Sequence, residues 1–261
     1  MAPPLAMRPE RMIATDYTIE NAAREFWALA GGVPGYPCDL ESSIPYALPL
    51  HVRVVPGLRV SHANGYARDS RLPYRFSGRD RRLCGCLLAY LDVGIIFLDA
   101  GIAEDERRFT LAHELAHFLL DYRGPRLRCI EALGEGIRAV LDGLRPPTLE
   151  ERVHAVLAGT PLGVVGHLME RTAVGLPSST VLGIESRADR LALELLAPAS
   201  LVMEKAETRR GMSHRERASR LAALLMREHG LPAGVAGKYA SGLLHRSGDG
   251  PGFRDWLLDE G

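Results

Sequence analysis

His113-Glu114-Leu115-Ala116-His117 is the segment of this chain whose residue types and spacing could do chemistry. Residues four apart on a helix lie one above the other, so His113 and His117 would present two imidazole nitrogens to one metal ion. Glu114 falls beside that ion but off the ligand line, placed to take a proton from a metal-bound water. A zinc ion held this way lowers the pKa of its water and polarises a carbonyl. The chemistry expected is hydrolysis of a peptide bond, with Glu114 as general base passing the proton to the leaving amine.

Two histidines do not make such a site, because a catalytic zinc takes three protein ligands and keeps one open position. The best candidate for the third is Glu185, which opens the run Glu185-Ser186-Arg187-Ala188-Asp189. Glu185 and Asp189 are one helical turn apart. Glu185 could bind the metal while Asp189 accepts the second ring N–H of a ligand histidine. Taken without the histidine pair, the same run would read as an acidic solvent face bridged to Arg187 and Arg190. His154 and His167 are rival ligands by position, but neither has a paired donor at ligand spacing, so a surface or core histidine is the plainer account of both. Tyr90, His154 and His167 are all conceivable as the group that stabilises an oxyanion, with no basis for choosing.

The elements that must position these residues can be read from pattern. Residues 18–30 read as a helix with Thr18 as N-cap and Gly31-Gly32 as its stop; residues 39–48 form a second, short helix. Residues 50–55 are rich in β-branched side chains and end at Pro56-Gly57, so they read as a strand, with 58–62 a candidate partner. Residues 63–82, which include Arg71, Arg75, Arg79, Arg81 and Arg82, read as a solvated basic loop. Two apolar strands, 83–91 and 95–99, flank a hairpin turn at Asp92-Val93-Gly94. The helix that carries the chemistry follows over 103–122; Glu104, Asp105 and Glu106 complement its dipole and Gly124-Pro125 ends it. Two or three further helices fall in 126–182, and another spans 183–196. Ser213-x-x-Glu216 is a capping box that opens a helix closed by Gly230. Pro232 starts a second helix after a very short turn, and two helices joined so tightly resemble a helix-turn-helix unit.

Composition sets the outer limits. The chain has 261 residues with 32 basic and 32 acidic side chains, a balance that argues against broad attachment to nucleic acid. Its four cysteines, Cys38, Cys84, Cys86 and Cys129, are too sparse and uneven for a disulfide framework, and Cys84 and Cys86 share one face of an apolar strand, which favours burial over metal or redox chemistry. The first twelve residues lack the apolar stretch of a signal peptide, and the most apolar segment, 84–98, is too short for a bilayer. A cytoplasmic protein is expected.

Arg107-Arg108-Phe109-Thr110-Leu111-Ala112-His113-Glu114-Leu115-Ala116-His117-Phe118-Leu119-Leu120, followed by Glu185-x-x-Ala188-Asp189-x-x-Ala192-x-Glu194-Leu195-Leu196-x-Pro198, resembles the ImmA/IrrE family of metallopeptidases. The resemblance covers roughly residues 18–122 and 183–245. It implies an α+β fold: a zincin-like metallopeptidase domain, mostly helical with a small antiparallel or mixed sheet, plus C-terminal helix-turn-helix-like helices. The corresponding division is 1–205 for the peptidase domain and 206–261 for the C-terminal helices and tail. It also implies Zn2+ on His113, His117 and Glu185, with Glu114 catalytic. The substrate implied is a helix-turn-helix transcriptional repressor, cleaved in a stress or mobile-element response. This chain departs from the family pattern in its long interval between His117 and Glu185, which reads as a helical insertion over about 124–180. Ala197 and Leu191 also stand where the family often has Met and Phe. An alternative from another class is a DNA-binding or sensory regulator with a non-catalytic zinc site, which draws on Arg209, Arg210, Arg215, Arg217 and Arg220. Against it, the second C-terminal helix offers only Lys238 as a basic contact. A third is a partner-binding module docking through the insertion.

Overall fold

The computed structural model describes residues 14–157, 159–170, 179–206 and 212–246, with 14–18, 157, 170 and 179–185 described by backbone alone. Four strands, Leu50–Val55 (β1), Leu83–Tyr90 (β2), Val93–Asp99 (β3) and Val165–Glu170 (β4), form one sheet in the order β1-β3-β2-β4. β1 runs parallel to β3, and β2 is antiparallel to both β3 and β4. The sheet is therefore small and mixed, within a mostly helical α+β fold. Side chains alternate between its faces. Leu50, Leu87, Ala89, Ile96 and Leu98 enter the main core, while Cys86, Leu88 and Phe97 enter a smaller core on the opposite side.

The smaller core corrects two expectations. Residues 58–62 do not add a strand; only a single bridge joins Arg59 to Arg82, and a helix, α3 below, begins at Val60. Val60, Ala63 and Ala67, at spacings of three and four, line the buried face of that helix against the sheet. The arginine-rich stretch beyond is not simply a solvated loop either. Asn64 donates to the Phe76 carbonyl at 3.2 Å and accepts from its N–H at 2.8 Å, pinning Phe76 into the same core. Cys86 is fully buried, Cys84 partly, and all four cysteines are free thiols.

In chain order the helices are α1 (Ala14–Leu29), α2 (Leu40–Ala47), α3 (Val60–Asp69), α4 (Glu104–His117), α5 (Gly124–Leu133), α6 (Arg138–Leu141), α7 (Leu149–Leu157), α8 (Ser179–Leu196), α9 (Ala199–Lys205), α10 (His214–His229) and α11 (Ala233–Arg246). Thr18 is not an N-cap, since α1 already begins at Ala14. Asp39 does cap α2, accepting from the Ser42 N–H at 3.0 Å. Gly124-Pro125 does not end the helix that carries the histidines. After α4 the chain winds as a π-helix over Phe118–Arg123 and continues into α5, with Pro125 at the junction where the winding changes from π to α. The segment read from the sequence as an insertion thus begins as a direct prolongation of α4. It is helical through α7 and then returns to the sheet as β4, a strand that the helical reading of this region did not include.

The segment after α4 is tied to the β2–β3 turn by charge. That turn is Leu91-Asp92, both at positive φ (52° and 63°), a two-residue hairpin one step earlier than its Gly94 suggested. The Tyr122 hydroxyl accepts from the Asp92 N–H at 3.0 Å. Buried Arg126 spans the carboxylates of Asp92 and Asp142, and Arg138 also reaches Asp92.

α8 packs along α4 through Ala188, Leu191, Ala192 and Leu195, a stripe whose two alanines permit close approach. The carbonyls at its C-terminus, which no helical turn can satisfy, are met by distant donors. Trp27 Nε1 bonds Leu195 O at 3.3 Å, His229 Nδ1 bonds Leu196 O at 3.0 Å, and the Tyr239 hydroxyl bonds Ala197 O at 3.0 Å. Three segments are thereby fastened to the helix that carries Asp189. α10 opens with the Ser213/Glu216 capping box and closes at Gly230, whose φ of 61° is the left-handed helix stop. α10 and α11 share the main core through Leu221, Leu225, Ala236, Tyr239 and Leu243.

Candidate metal centre

α4 sets the first two groups. Phe109, Ala112, Leu115 and Ala116 bury it between the sheet and α8, so that His113, Glu114 and His117 are themselves almost fully buried. His113 Nε2 and His117 Nε2 face each other at 3.1 Å. Each ring is held from behind by a carboxylate. Asp189 Oδ1 lies 2.9 Å from His113 Nδ1, and Asp121 Oδ2 lies 2.7 Å from His117 Nδ1. Asp121 stands one turn after His117, on the π-helical segment. With each Nδ1–H donated to its carboxylate, both Nε2 atoms carry lone pairs, and these point at one another. Two converging lone pairs in a buried pocket repel unless a cation lies between them. The donor set thus fits a metal ion.

Glu114 sits beneath the histidines with no exposure at all. Its Oε2 accepts from His167 Nδ1 at 3.0 Å, while Oε1 has no hydrogen-bond partner among the described residues. Burial by itself would raise the carboxyl's pKa. The imidazoles around it, His167 first and then His113 and His117, outweigh that and hold the group below its ordinary range. Room for this side chain comes from β2. A β-carbon at Gly85 would stand 2.5 Å from Thr110 Cγ2 and 3.2 Å from both Glu114 Cγ and Oε1. Only glycine lets the strand pass so close to the carboxylate.

His167 comes from β4. By the two-residue period of a strand it shares the main-core face with Val165 and Met169, and it pairs across β2 with Leu87. Its ring stacks on His117 with centroids 3.7 Å apart and planes 23° from parallel. One ring nitrogen from each of His113, His117 and His167 lies within 4.8 Å of the others. Spacing in the sequence did not single His167 out, and the signal that could have was the alternation Val165-x-His167-x-Met169. Asp121, one turn after His117, was the other group sequence reasoning passed over.

The remaining candidates are placed as follows. Glu185 lies on α8 one turn before Asp189, among the residues described by backbone alone. His154 lies on α7 and Tyr90 ends β2; neither is part of the histidine cluster. Beside His117 and His167 opens a cavity of about 570 Å³, walled by Leu120 and Asp121, by Pro125 and Arg128 of α5, and by Val156 of α7 and Arg187 of α8. Much of its wall is therefore built by the segment after α4.

Residues 75–135 match the family described as Peptidase_M78, IrrE N-terminal-like domain. The match runs through β2, β3, α4 and all of α5, and it supports the resemblance to the ImmA/IrrE metallopeptidases. No curated protein matched the chain.

Proposed function

We propose that this IrrE-like chain is a zinc-dependent endopeptidase of the ImmA/IrrE type, acting on a protein substrate in the cytoplasm. The observation that carries the reading is the pair of facing Nε2 atoms on His113 and His117, each ring fixed by its own carboxylate, with buried Glu114 alongside. His113 and His117 would hold the metal, with Glu185 as the further ligand implied by the family resemblance. A zinc ion bound there lowers the pKa of a water molecule and polarises a peptide carbonyl. The chain's own residues do the rest. Glu114, whose Oε1 has no hydrogen-bond partner among the described residues, takes a proton and returns it to the leaving amine. Asp189 and Asp121 keep the two rings in one tautomer, and the cavity beside His117 receives the polypeptide. No helix among the described residues is long and apolar enough to cross a membrane.

Within that reading the substrate is a helix-turn-helix repressor and the setting a stress or mobile-element response, both resting on the resemblance. The test is to incubate the zinc-loaded protein with a small helix-turn-helix repressor encoded beside it and to locate the cut by mass spectrometry. Cleavage should vanish with a chelator and with Glu114→Gln, which should still bind about one equivalent of zinc. Wild-type cleavage by Glu114→Gln would refute the mechanism.

A second reading, a DNA-binding regulator with a non-catalytic metal site, draws on a basic groove beside α10 lined by Lys205, Arg217, Arg220 and Arg227. It predicts salt-sensitive binding to duplex DNA. A gel-shift titration without such binding sets it aside.

A further inference from the structure

We propose that His167 is a positioning residue for Glu114: its Nδ1–H holds Oε2, which leaves Oε1 as the oxygen that meets the attacking water. The inference rests on the peptidase reading of this centre and adds a residue of β4, outside the segment that matches the family, residues 75–135. Glu114 is fully buried; His167 bonds its Oε2 at 3.0 Å, and Oε1 has no partner among the described residues. The last bond of a glutamate side chain turns over a broad, two-fold range, so an unrestrained carboxylate presents either oxygen at varied angles. General-base work needs one oxygen within about 2.6–3.2 Å of the group whose proton it takes. A donor on the other oxygen makes that choice in advance.

Two neighbouring strands supply the two halves of the slot in which this carboxylate lies. Gly85 of β2 pairs with Met169 and Leu87 with His167, so Gly85 and His167 stand two steps apart along the β2–β4 ladder, on the same face of the sheet. A β-carbon at Gly85 would come within 3.2 Å of Oε1, so the missing side chain is the room that oxygen occupies. His167 supplies the donor for the other oxygen. One strand makes space for Oε1, and its neighbour fixes Oε2.

The donor is itself held at both ends. Backbone pairing with β2 fixes its Cα, and its ring is stacked on His117 with centroids 3.7 Å apart and planes 23° from parallel. Rings stacked in this way cannot both aim a lone pair at one ion, so His167 does not fill the position that a catalytic metal keeps open. The stack instead ties the direction of the Nδ1–H to a ring that α4 carries and that Asp121 holds from behind at 2.7 Å.

The test compares wild type with His167→Ala, His167→Asn, His167→Gln and Glu114→Ala, the fold of each checked by circular dichroism. The amide nitrogen of Asn falls near the place of Nδ1, whereas that of Gln falls near Nε2. Zinc affinity, read by competition with a chromophoric chelator, should match wild type in every His167 variant. Nuclear magnetic resonance of protein carrying isotope-labelled histidine should find His167 protonated at Nδ1, with faster exchange of that proton in Glu114→Ala. On the repressor encoded beside this protein, His167→Ala should lower kcat by ~10–100-fold with KM little changed. His167→Asn should recover most of that loss, and His167→Gln none. Wild-type kcat in His167→Ala, while Glu114→Ala is inactive, would overturn the role. Recovery by Gln, or by neither amide, would also overturn it, as would an Nδ1 proton indifferent to Glu114→Ala. A fall in zinc affinity on losing His167 would do the same. Wild type that leaves the repressor intact, or cleavage by Glu114→Ala at the wild-type rate, would instead remove the peptidase reading and this role with it, so the two failures are told apart.

Discussion

His113 Nδ1 and Asp189 Oδ1 lie 2.9 Å apart across the contact between α4 and α8. The bond joins residues 76 positions apart in the chain and fixes which nitrogen of His113 faces the centre. Asp189 is half-exposed, so replacing it should disturb the ring and leave the core intact. Asp189→Ala is expected to weaken zinc binding by ~10–100-fold with little change in folding stability. Asp121→Ala should do the same through His117. Competition with a chromophoric chelator measures both, and wild-type affinity in the two variants would show that the carboxylates do not tune the ligands.

Gly85 offers a test of how closely Glu114 must be held. An added β-carbon meets Thr110 Cγ2 at 2.5 Å, so Gly85→Ala has to push α4 from the strand or turn Thr110 and Glu114 away. Displacing a catalytic group by a fraction of an ångström to 1 Å costs up to ~100-fold in rate. Gly85→Ala should therefore lower kcat by roughly 10–100-fold while still binding zinc, because neither histidine is in the clash. An unchanged kcat would mean that Glu114 has slack in its pocket.

The anchorage of α5 is testable at Arg126, a buried guanidinium shared between Asp92 and Asp142. Truncating a buried partner leaves its carboxylates without compensation, though Asp92 is partly exposed and keeps Arg138. Arg126→Met should cost about 1–3 kcal/mol in urea denaturation, less than a fully buried pair would. Amide exchange should speed up first around the 91–92 turn and α5. A loss below ~0.5 kcal/mol would class the cluster with ordinary surface pairs.

His229 predicts a pH dependence of stability away from the metal. The ring is fully buried and donates from Nδ1 to Leu196 O, and its Nε2 has no partner among the described residues. Burial, the main cause, holds its pKa below the ordinary 6.5. Below that pH the unfolded chain binds the proton more readily than the folded one, so stability is complete above about 6.5 and declines as pH falls toward the lowered folded value. Melting the metal-free protein from pH 7.5 down to 5 should show a steeper loss for wild type than for His229→Gln. Parallel curves would remove His229 as the titrating group.

Much of the centre was legible in the chain because it depends on local geometry. His113, Glu114 and His117 lie within five residues, and a helix dictates their relative directions whatever surrounds it. β1, the two hairpin strands and the capped ends of α2 and α10 follow from equally local rules of alternation, turn chemistry and capping. The misread segments are those where a distant contact outweighs local pattern. Val60, Ala63 and Ala67 sit in a polar stretch whose helical stripe shows once the sheet beneath is known. Gly124-Pro125 looks like a stop, yet the π-helical segment leads straight into it and the winding changes from π to α at that junction.

The sequence by itself determined a helix that brings His113 and His117 to one face with Glu114 beside them, and a second acidic helix with Asp189 one turn from Glu185. Only the tertiary structure decided that Asp189 meets His113, that Asp121 meets His117, and that His167 arrives on an edge strand to bond Glu114. The reason is physical. Spacing along one helix is set by backbone hydrogen bonds four residues apart, whereas partners 53 and 76 positions away are chosen by which strand pairs with β2 and which helix packs on α4.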